Sequence, residues 1–505
     1  MTMRLNTPAL LFALGLLAGS AWADIVWNGK RVSAWPPEAL QTPGKADKVA
    51  ARAQASAESG HYPSPKGKVY GLTLLVDFSD SPAPFTKDEI SDWLNKPGFS
   101  RDGCNGSVRD YYLDVSNGKV DFTNEVFGWY RAKQTKAHYE AASGYSGSDE
   151  LLNEMLAYFD PLVDFSRYDN DKDGTTEAIS IVYAGPGQTW GQGLWPHSGW
   201  VGQTRDGTSL DRYQMSDMPG TFSNYVFVHE CGHMVFGWPD LYWYGDYCTM
   251  GNRADDLNPV AINDFFRADQ GWIPFQDVTA LDTGVVSSTG DEKVFRYKNP
   301  NRPDTEGFAW SYLRNTGRRS VIRGSGLFLQ HYDFSIDGNS SATQLGLRPV
   351  QADGLEELQA SQWPTKSNDP KDLFQSGTVA LFNETRFPAL HWYDGKRSGL
   401  VVSEIGKPST SLAFRLGAPP SVAIARSPAA STRLRRIHPD LVQAPAWMAG
   451  ARLEFQDPSG RLLGTSDLVA SGELASARVP SFAAGVVLWR CVRDRQTLGN
   501  GILPP

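Results

Sequence analysis

The chain has few of the residues that define several common classes. It carries only four cysteines and eight histidines among 505 residues. Past the N-terminal stretch it has no apolar run long enough to span a bilayer. Charge of one sign is not in excess either: 48 Lys and Arg stand against 56 Asp and Glu, a formal net charge of −8. So mild a balance leaves neither nucleic acid nor an anionic membrane surface as a natural partner. No GxSxG elbow occurs, which excludes one common route to a serine nucleophile. Aromatic residues, at 12%, are plentiful, as are glycine (49) and proline (32). That composition favours a β-rich, loop-rich architecture, and the length favours two or three domains with ample core.

Two of the eight histidines stand in one pentapeptide, His229-Glu230-Cys231-Gly232-His233. Residues four apart share a helix face. The spacing therefore predicts two imidazoles on one metal ion, with Glu230 beside that face to take a proton from a water the metal activates. Zinc suits imidazole and carboxylate donors, and a catalytic site keeps one position open. The surrounding run, YVFVHECGHMVF, is apolar nearly all round and reads as a buried helix. A core helix with two hydrogen-bonded histidines and no metal is the competing reading. Gly237 and Pro239 end the helix, and Asp240 follows on the returning chain as a third ligand. Met250, in Thr249-Met250-Gly251, resembles the methionine turn beneath the metal of metzincin peptidases.

The first residues, 1–23, read as a secretory signal peptide: a basic Arg4, a short apolar core and an Ala21-Trp22-Ala23 cleavage site. The protein is therefore expected to be exported. Residues 24–66 are rich in Ala, Pro and Lys with little periodicity, either a pro-segment or a flexible leader. Without a cysteine there, no thiolate can block a metal. Strand and helix signals begin at Val69, where VYGLTLLVDF has the form of a buried strand. Thr86 opens a helix with capping-box spacing to Glu89. Ser107 precedes a second helix, whose Val108, Tyr111, Tyr112 and Val115 share a face, and Asn117-Gly118 turns the chain into the strand KVDFTNEVFGWY. Another amphipathic helix carries Leu151, Leu152, Met155, Leu156 and Phe159.

A second motif spans 168–177. Asp169, Asp171 and Asp173 alternate, with glycine at the sixth loop position (Gly174), Thr175 at the seventh for its carbonyl and Glu177 at the ninth, the front half of a calcium loop. The twelfth position is Ser180 rather than a bidentate glutamate, inside a predicted strand, so the segment is not an EF-hand. A solvated acidic turn is the alternative. After the metal motif, NPVAINDFFRADQGW predicts a helix ending at Gly271. From 276 short strands alternate with Gly, Asn, Asp and Pro. A Pro-, Ala- and Ser-rich linker runs over 418–430, and 431–505 read as a small β-module with an Asp-Pro-Ser-Gly turn.

The residues HECGH, GWPDLY and CTMG together are similar to the immune inhibitor A family of secreted metallopeptidases. The likeness covers about 67–417. GSVRDYYLDVSNGKVDF resembles the start of that family's catalytic domain, and Ala184-Gly185-Pro186-Gly187 after the acidic loop also match it. The resemblance implies an α+β zincin-type catalytic domain (67–275) and a β-rich, sandwich-like domain (276–417), ahead of the C-terminal β-module read from its own strands and turn. It implies a secreted zinc endopeptidase acting on protein or peptide substrates, made as a zymogen, with zinc on His229, His233 and Asp240 and calcium at 169–177. Gly237 and Asp240 stand one residue further from His229 than in the family pattern. That extra residue either lengthens the helix and turns its exit by about 100° or is absorbed as a bulge, with Asp246 as the fallback ligand. GQGLWPHSGW resembles the family's cleft edge, which makes His197 a candidate substrate or oxyanion contact alongside Tyr242, Tyr244 and Tyr247. His331 and Asp333 suggest either a second metal or ordinary strand alternation, and a glutamate the family leads one to expect near Ser311 is missing. In an exported protein disulfides are plausible. Of the three possible pairings, Cys231 to Cys248 would tie the metal helix to the methionine turn. Two further functional readings stay open: an extracellular binding protein with a structural zinc, and a zinc hydrolase of a non-protein substrate.

Overall fold

The apolar run at 69–78 supplies an inner strand of the first sheet, with both of its faces covered. The computed structural model describes residues 25–27, 30–32, 67–188, 191–279, 286–289, 293–336, 345–360, 369–383 and 389–417. It also describes 435–438, 441–445, 449–456, 461–471, 474–479, 487–493 and 496–503. The expected signal peptide, most of the 24–66 segment, the 418–430 linker and the Asp-Pro-Ser-Gly turn lie outside the described residues. The fold is mixed α and β, with many strands and few helices.

The chain begins with an antiparallel pair, β1 (Ile25–Trp27) and β2 (Lys30–Val32). Next come β3 (Gly67–Asp77), α1 (Lys87–Asn95), α2 (Val108–Val115), β4 (Val120–Arg131), α3 (Lys136–Glu140) and α4 (Ser146–Phe159). They are followed by β5 (Thr175–Thr176), β6 (Ile179–Ala184), β7 (His197–Arg205), β8 (Thr208–Met218) and α5 (Tyr225–Phe236). The sheet runs β4-β3-β6-β8-β5, all pairs parallel, and β7 pairs antiparallel with β8. Period-two alternation sends Leu72, Leu74, Val76, Ile179 and Ile181 to a core shared with α4. Val69, Leu75 and Val182 face the other core, with α1, α2 and α5. The capping box expected at Thr86 with Glu89 is present, and the structure adds a second, Ser107 with Asp110.

The helix expected from Asn258 onward is shorter than its pattern. Only α6 (Asp264–Asp269) is helical. Pro259 biases Asn258 away from helical backbone, and Asn263 caps instead, its side chain accepting from Phe265 N–H at 2.7 Å.

The second half continues with β9 (Phe275–Val278), β10 (Val286–Thr289), β11 (Val294–Lys298), β12 (Glu306–Leu313), β13 (Gly326–Asp333) and β14 (Leu347–Val350). The short helix α7 (Glu357–Ala360) follows, then β15 (Phe382–Asn383), β16 (Val401–Ser403) and β17 (Leu412–Leu416). One sheet is ordered β14-β13-β12-β11-β9, the other β10-β17-β16-β15. Strand β12 is buried along its whole length. Phe308, Trp310 and Tyr312 pack toward the second of these sheets. Ala309 and Leu313 join the core that holds α5. The boundary near 275 therefore separates sheets but not cores, and residues up to 419 form one compact unit.

The remaining unit, from 420, holds two four-stranded antiparallel sheets around Val442, Leu453, Phe455 and Trp489. Among the described residues, no helix is long and apolar enough to cross a membrane. The Cys231 to Cys248 disulfide is not formed: all four cysteines are buried free thiols, the apolar role this residue often takes.

Ser107 is fully buried and its Oγ accepts from Asp110 N–H at 3.1 Å. Replacing it, Ser107→Ala, is expected to cost about 1 kcal/mol, read as a lowered thermal midpoint. An unchanged midpoint would mean the cap contributes nothing.

Candidate metal centre

Helix α5 is seated by buried polar anchors. Asn224, fully buried just before the helix, accepts from Trp93 Nε1 at 2.8 Å, and Tyr112 Oη donates to Val228 O at 2.8 Å. On its metal face His229 and His233 are each pinned through Nδ1, at 2.9 Å to Thr249 O and 2.6 Å to Trp238 O. A carbonyl can only accept, so both Nδ1 atoms carry a hydrogen, and in the neutral rings it is Nε2 that holds the lone pair. The two Nε2 atoms converge to 3.2 Å. Asp240 Oδ1 completes the triangle at 3.1 Å from His229 and 3.4 Å from His233. A tetrahedral ion with ligand bonds of about 2.0–2.1 Å has donor-to-donor edges of about 3.3–3.4 Å. The three side chains thus form one face of a zinc-sized tetrahedron, and the donor set fits that ion.

The charges agree. Burial alone would push His229 down, but its hydrogen bond to the Asp240 carboxylate and the charges of Glu230 and Asp240 outweigh it and lift it to about 9. Asp240 is likewise buried, yet the charges of and hydrogen bonds to the histidines hold it well below the carboxylate range. Two carboxylates facing two imidazoles in a buried site favour a cation there. Glu230 is raised, chiefly by burial, and Ser198 N–H of strand β7 donates to its carboxylate.

The extra residue before Asp240 is absorbed in a widened last turn. Gly237 N–H reaches both His233 O and Gly232 O, and Trp238 N–H donates to Gly232 O at 3.2 Å, five and six residues back rather than four. Gly237 takes the left-handed conformation, φ 67°, that lets the chain return. Met250 lies under the helix: a Cβ on Gly232 would sit 2.7 Å from its Sδ. Asp246 stays outside the triangle and accepts from Asn252 Nδ2 at 3.4 Å. Tyr242 hydrogen-bonds the Asp240 carboxylate. Tyr244 and Tyr247 point instead into the second half of the unit, where they bond Gln330 and Asp372. His197 is corrected. Buried and pushed down to about 4 by burial, its ring bonds Trp195 O (2.7 Å) and Tyr213 Oη (2.8 Å), which leaves no ring nitrogen for a substrate.

The acidic loop also closes on itself. Asp169, Asp171, Asp173 and Glu177 bring carboxylate oxygens within 4.8 Å of one another. Glu177 Oε1 and Asp169 Oδ1 are buried with no hydrogen-bond partner, which suits a cation. Thr175 stands in β5, paired with β8 at Ser209. His331 and Asp333 hold no metal group. His331 Nε2 meets Glu306 Oε1 at 3.0 Å, and Asp333 takes a bidentate Arg302, a closed buried ion network. Sequence reasoning missed a third carboxylate group, Asp353, Glu357 and Asp372. Its members are scattered along the chain, and only the turn at 351–354 signals it.

Burial, reinforced by the charges of Asp171 and Asp169 over the opposing bonds from Asn170, lifts Glu177 to about 7 against 4.5 for a free glutamate. A raised carboxylate makes the folded chain bind more protons between those values. Without a cation, its contribution to stability should therefore improve as pH falls from 7 to 4.5. The thermal midpoint of the parent relative to Glu177→Gln, followed across that window in chelator, checks this; a difference flat with pH would refute it. No protein-family model and no curated protein matches this chain.

Proposed function

We propose that this protein is a secreted zinc endopeptidase of the immune inhibitor A type. The observation that carries the reading is the triangle of His229 Nε2, His233 Nε2 and Asp240 Oδ1, with edges of 3.1–3.4 Å, beside a buried glutamate. Zinc bound there supplies Lewis acidity, lowering the pKa of a coordinated water toward neutrality and polarising a peptide carbonyl. The chain's own residues do the rest. Glu230, its affinity for protons raised by burial, takes the proton at its carboxylate and returns it to the leaving amine. Ser198 N–H holds that carboxylate from the antiparallel strand β7. Thr249 O and Trp238 O hold the imidazoles in the ligating tautomer. Tyr242, bonded to Asp240, is the candidate donor to the oxyanion.

In this reading the first sheet with its helices is a zincin-type catalytic domain, and the two later sheets form a β-sandwich behind it. Asp169, Asp171, Asp173 and Glu177 would hold calcium in the 169–177 loop, which Asn170 ties to strand β3 through Tyr70 N–H at 2.7 Å. Residues 1–23 direct export, and 24–66 act as a pro-segment. The position of β1 alongside β7 supports that role, because β7 carries Ser198.

Glu230→Gln is expected to keep stoichiometric zinc and to lower casein cleavage by at least about a hundredfold. His233→Ala should lose zinc by metal analysis. Retained cleavage in the first variant, or full zinc in the second, would overturn the assignment. A parent that binds zinc but cuts no peptide would turn the reading to a different hydrolase.

A further inference from the structure

The loop that returns from Asp240 to Met250 is tightly folded on itself. Leu241 N–H donates to Met250 O (2.6 Å), Gly251 N–H to Cys248 O (2.9 Å) and Tyr244 N–H to Leu241 O (2.7 Å). A Cβ on Gly251 would sit 2.4 Å from Gly245 O. Gly245 itself has φ 53° and ψ −129°, a backbone conformation that costs other residues strain. Two tyrosines also tie it to the second half of the unit: Tyr247 Oη donates to Asp372 Oδ2 at 3.1 Å, and Tyr244, fully buried, donates to Gln330 Oε1 at 2.8 Å.

Gln330 lies in the middle of strand β13, on a sheet that contributes no donor to the metal triangle. It is 1% exposed. Its amide is locked by Asn263, which donates to Oε1 at 3.1 Å and accepts from Nε2 at 3.3 Å. Asn263 is in turn fixed as the cap of α6 by Phe265 N–H. The acceptor that Tyr244 meets therefore has one orientation. From Gln330 the path runs through Tyr244 to Leu241, next to Asp240, and from Leu241 to Met250, which packs against the helix at Gly232.

We propose that Gln330 is a positioning residue for the metal centre: through Tyr244 it holds the Asp240-to-Met250 loop at the distance the third ligand needs. The inference rests on the zinc peptidase reading. It makes the β-rich half of the unit part of the catalytic apparatus, without any of its residues touching metal or substrate.

The test uses the full chain with Tyr244→Phe and Gln330→Leu. The first keeps the ring and leaves Gln330 satisfied by Asn263. It therefore removes the brace alone and remains informative should Gln330→Leu fail to fold. Loss of a buried hydrogen bond of this kind should speed zinc release into a chelator about tenfold and lower kcat by about the same factor at unchanged KM. Tyr139→Phe, which removes a comparable hydrogen bond to Glu154 in the other core of the first sheet, should change neither. Zinc release and kcat equal to the parent in Tyr244→Phe would overturn the positioning role and leave the peptidase reading standing. A parent chain that holds no zinc would overturn that reading, and this inference with it.

Discussion

The structure of the candidate centre depends on two backbone carbonyls. Thr249 O and Trp238 O each take the Nδ1 hydrogen of one histidine, and this turns both Nε2 lone pairs toward a single point. Without those carbonyls, two imidazoles a helical turn apart would be free to rotate and to choose either tautomer. Both acceptors lie C-terminal to the helix, on the returning chain. The same loop that brings Asp240 to the triangle thus also orients the ligands it joins. Ligand supply and ligand orientation are one construction.

Close approach makes that construction possible. Gly232 lets Met250 pack directly against the helix, and Gly237 lets the chain reverse immediately beyond it. Beneath α5, the sheet face carries Gly71, Thr73 and Ser180 among its larger residues. At Gly71 a side chain would collide with Asn124 and Phe122. Gly232 at the contact point lets Met250 and the helix pack closely, and the C-terminal end of that helix is met by Arg212, which donates to His233 O at 3.2 Å. Burial of the whole assembly strengthens the electrostatic coupling among Glu230, Asp240 and the histidines.

The second half of the unit is packed on this centre rather than appended to it. Strand β12 gives one face to the core around α5 and the other to the sheet formed by β10, β15, β16 and β17. Two tyrosines from the loop after Asp240 reach across to Gln330 and Asp372. Such buried polar ties are specific because each is costly to break on one side only.

Much of the chemistry could be read from local spacing. The pair His229 and His233, the carboxylate between them, the glycine stop and the capping box at Thr86 each depend on residues within about one or two helical turns. The alternating aspartates at 169–173 are equally local, and the chain does fold them into one carboxylate group with Glu177. Boundaries were less legible. The helix after Asn258 is confined to six residues by a proline and a capping asparagine, which compete with its apolar pattern. The fates of His197 and of Cys231 and Cys248 were beyond local reading, because what a buried ring or thiol touches depends on strands and loops far along the chain. The sequence by itself determined which residue types could meet a cation and on what helix face. Only the tertiary structure decided that Asp240 rather than Asp246 closes the triangle: the widened turn at Gly237, the carbonyls that orient the rings and the brace from β13 all involve chain segments brought together by packing.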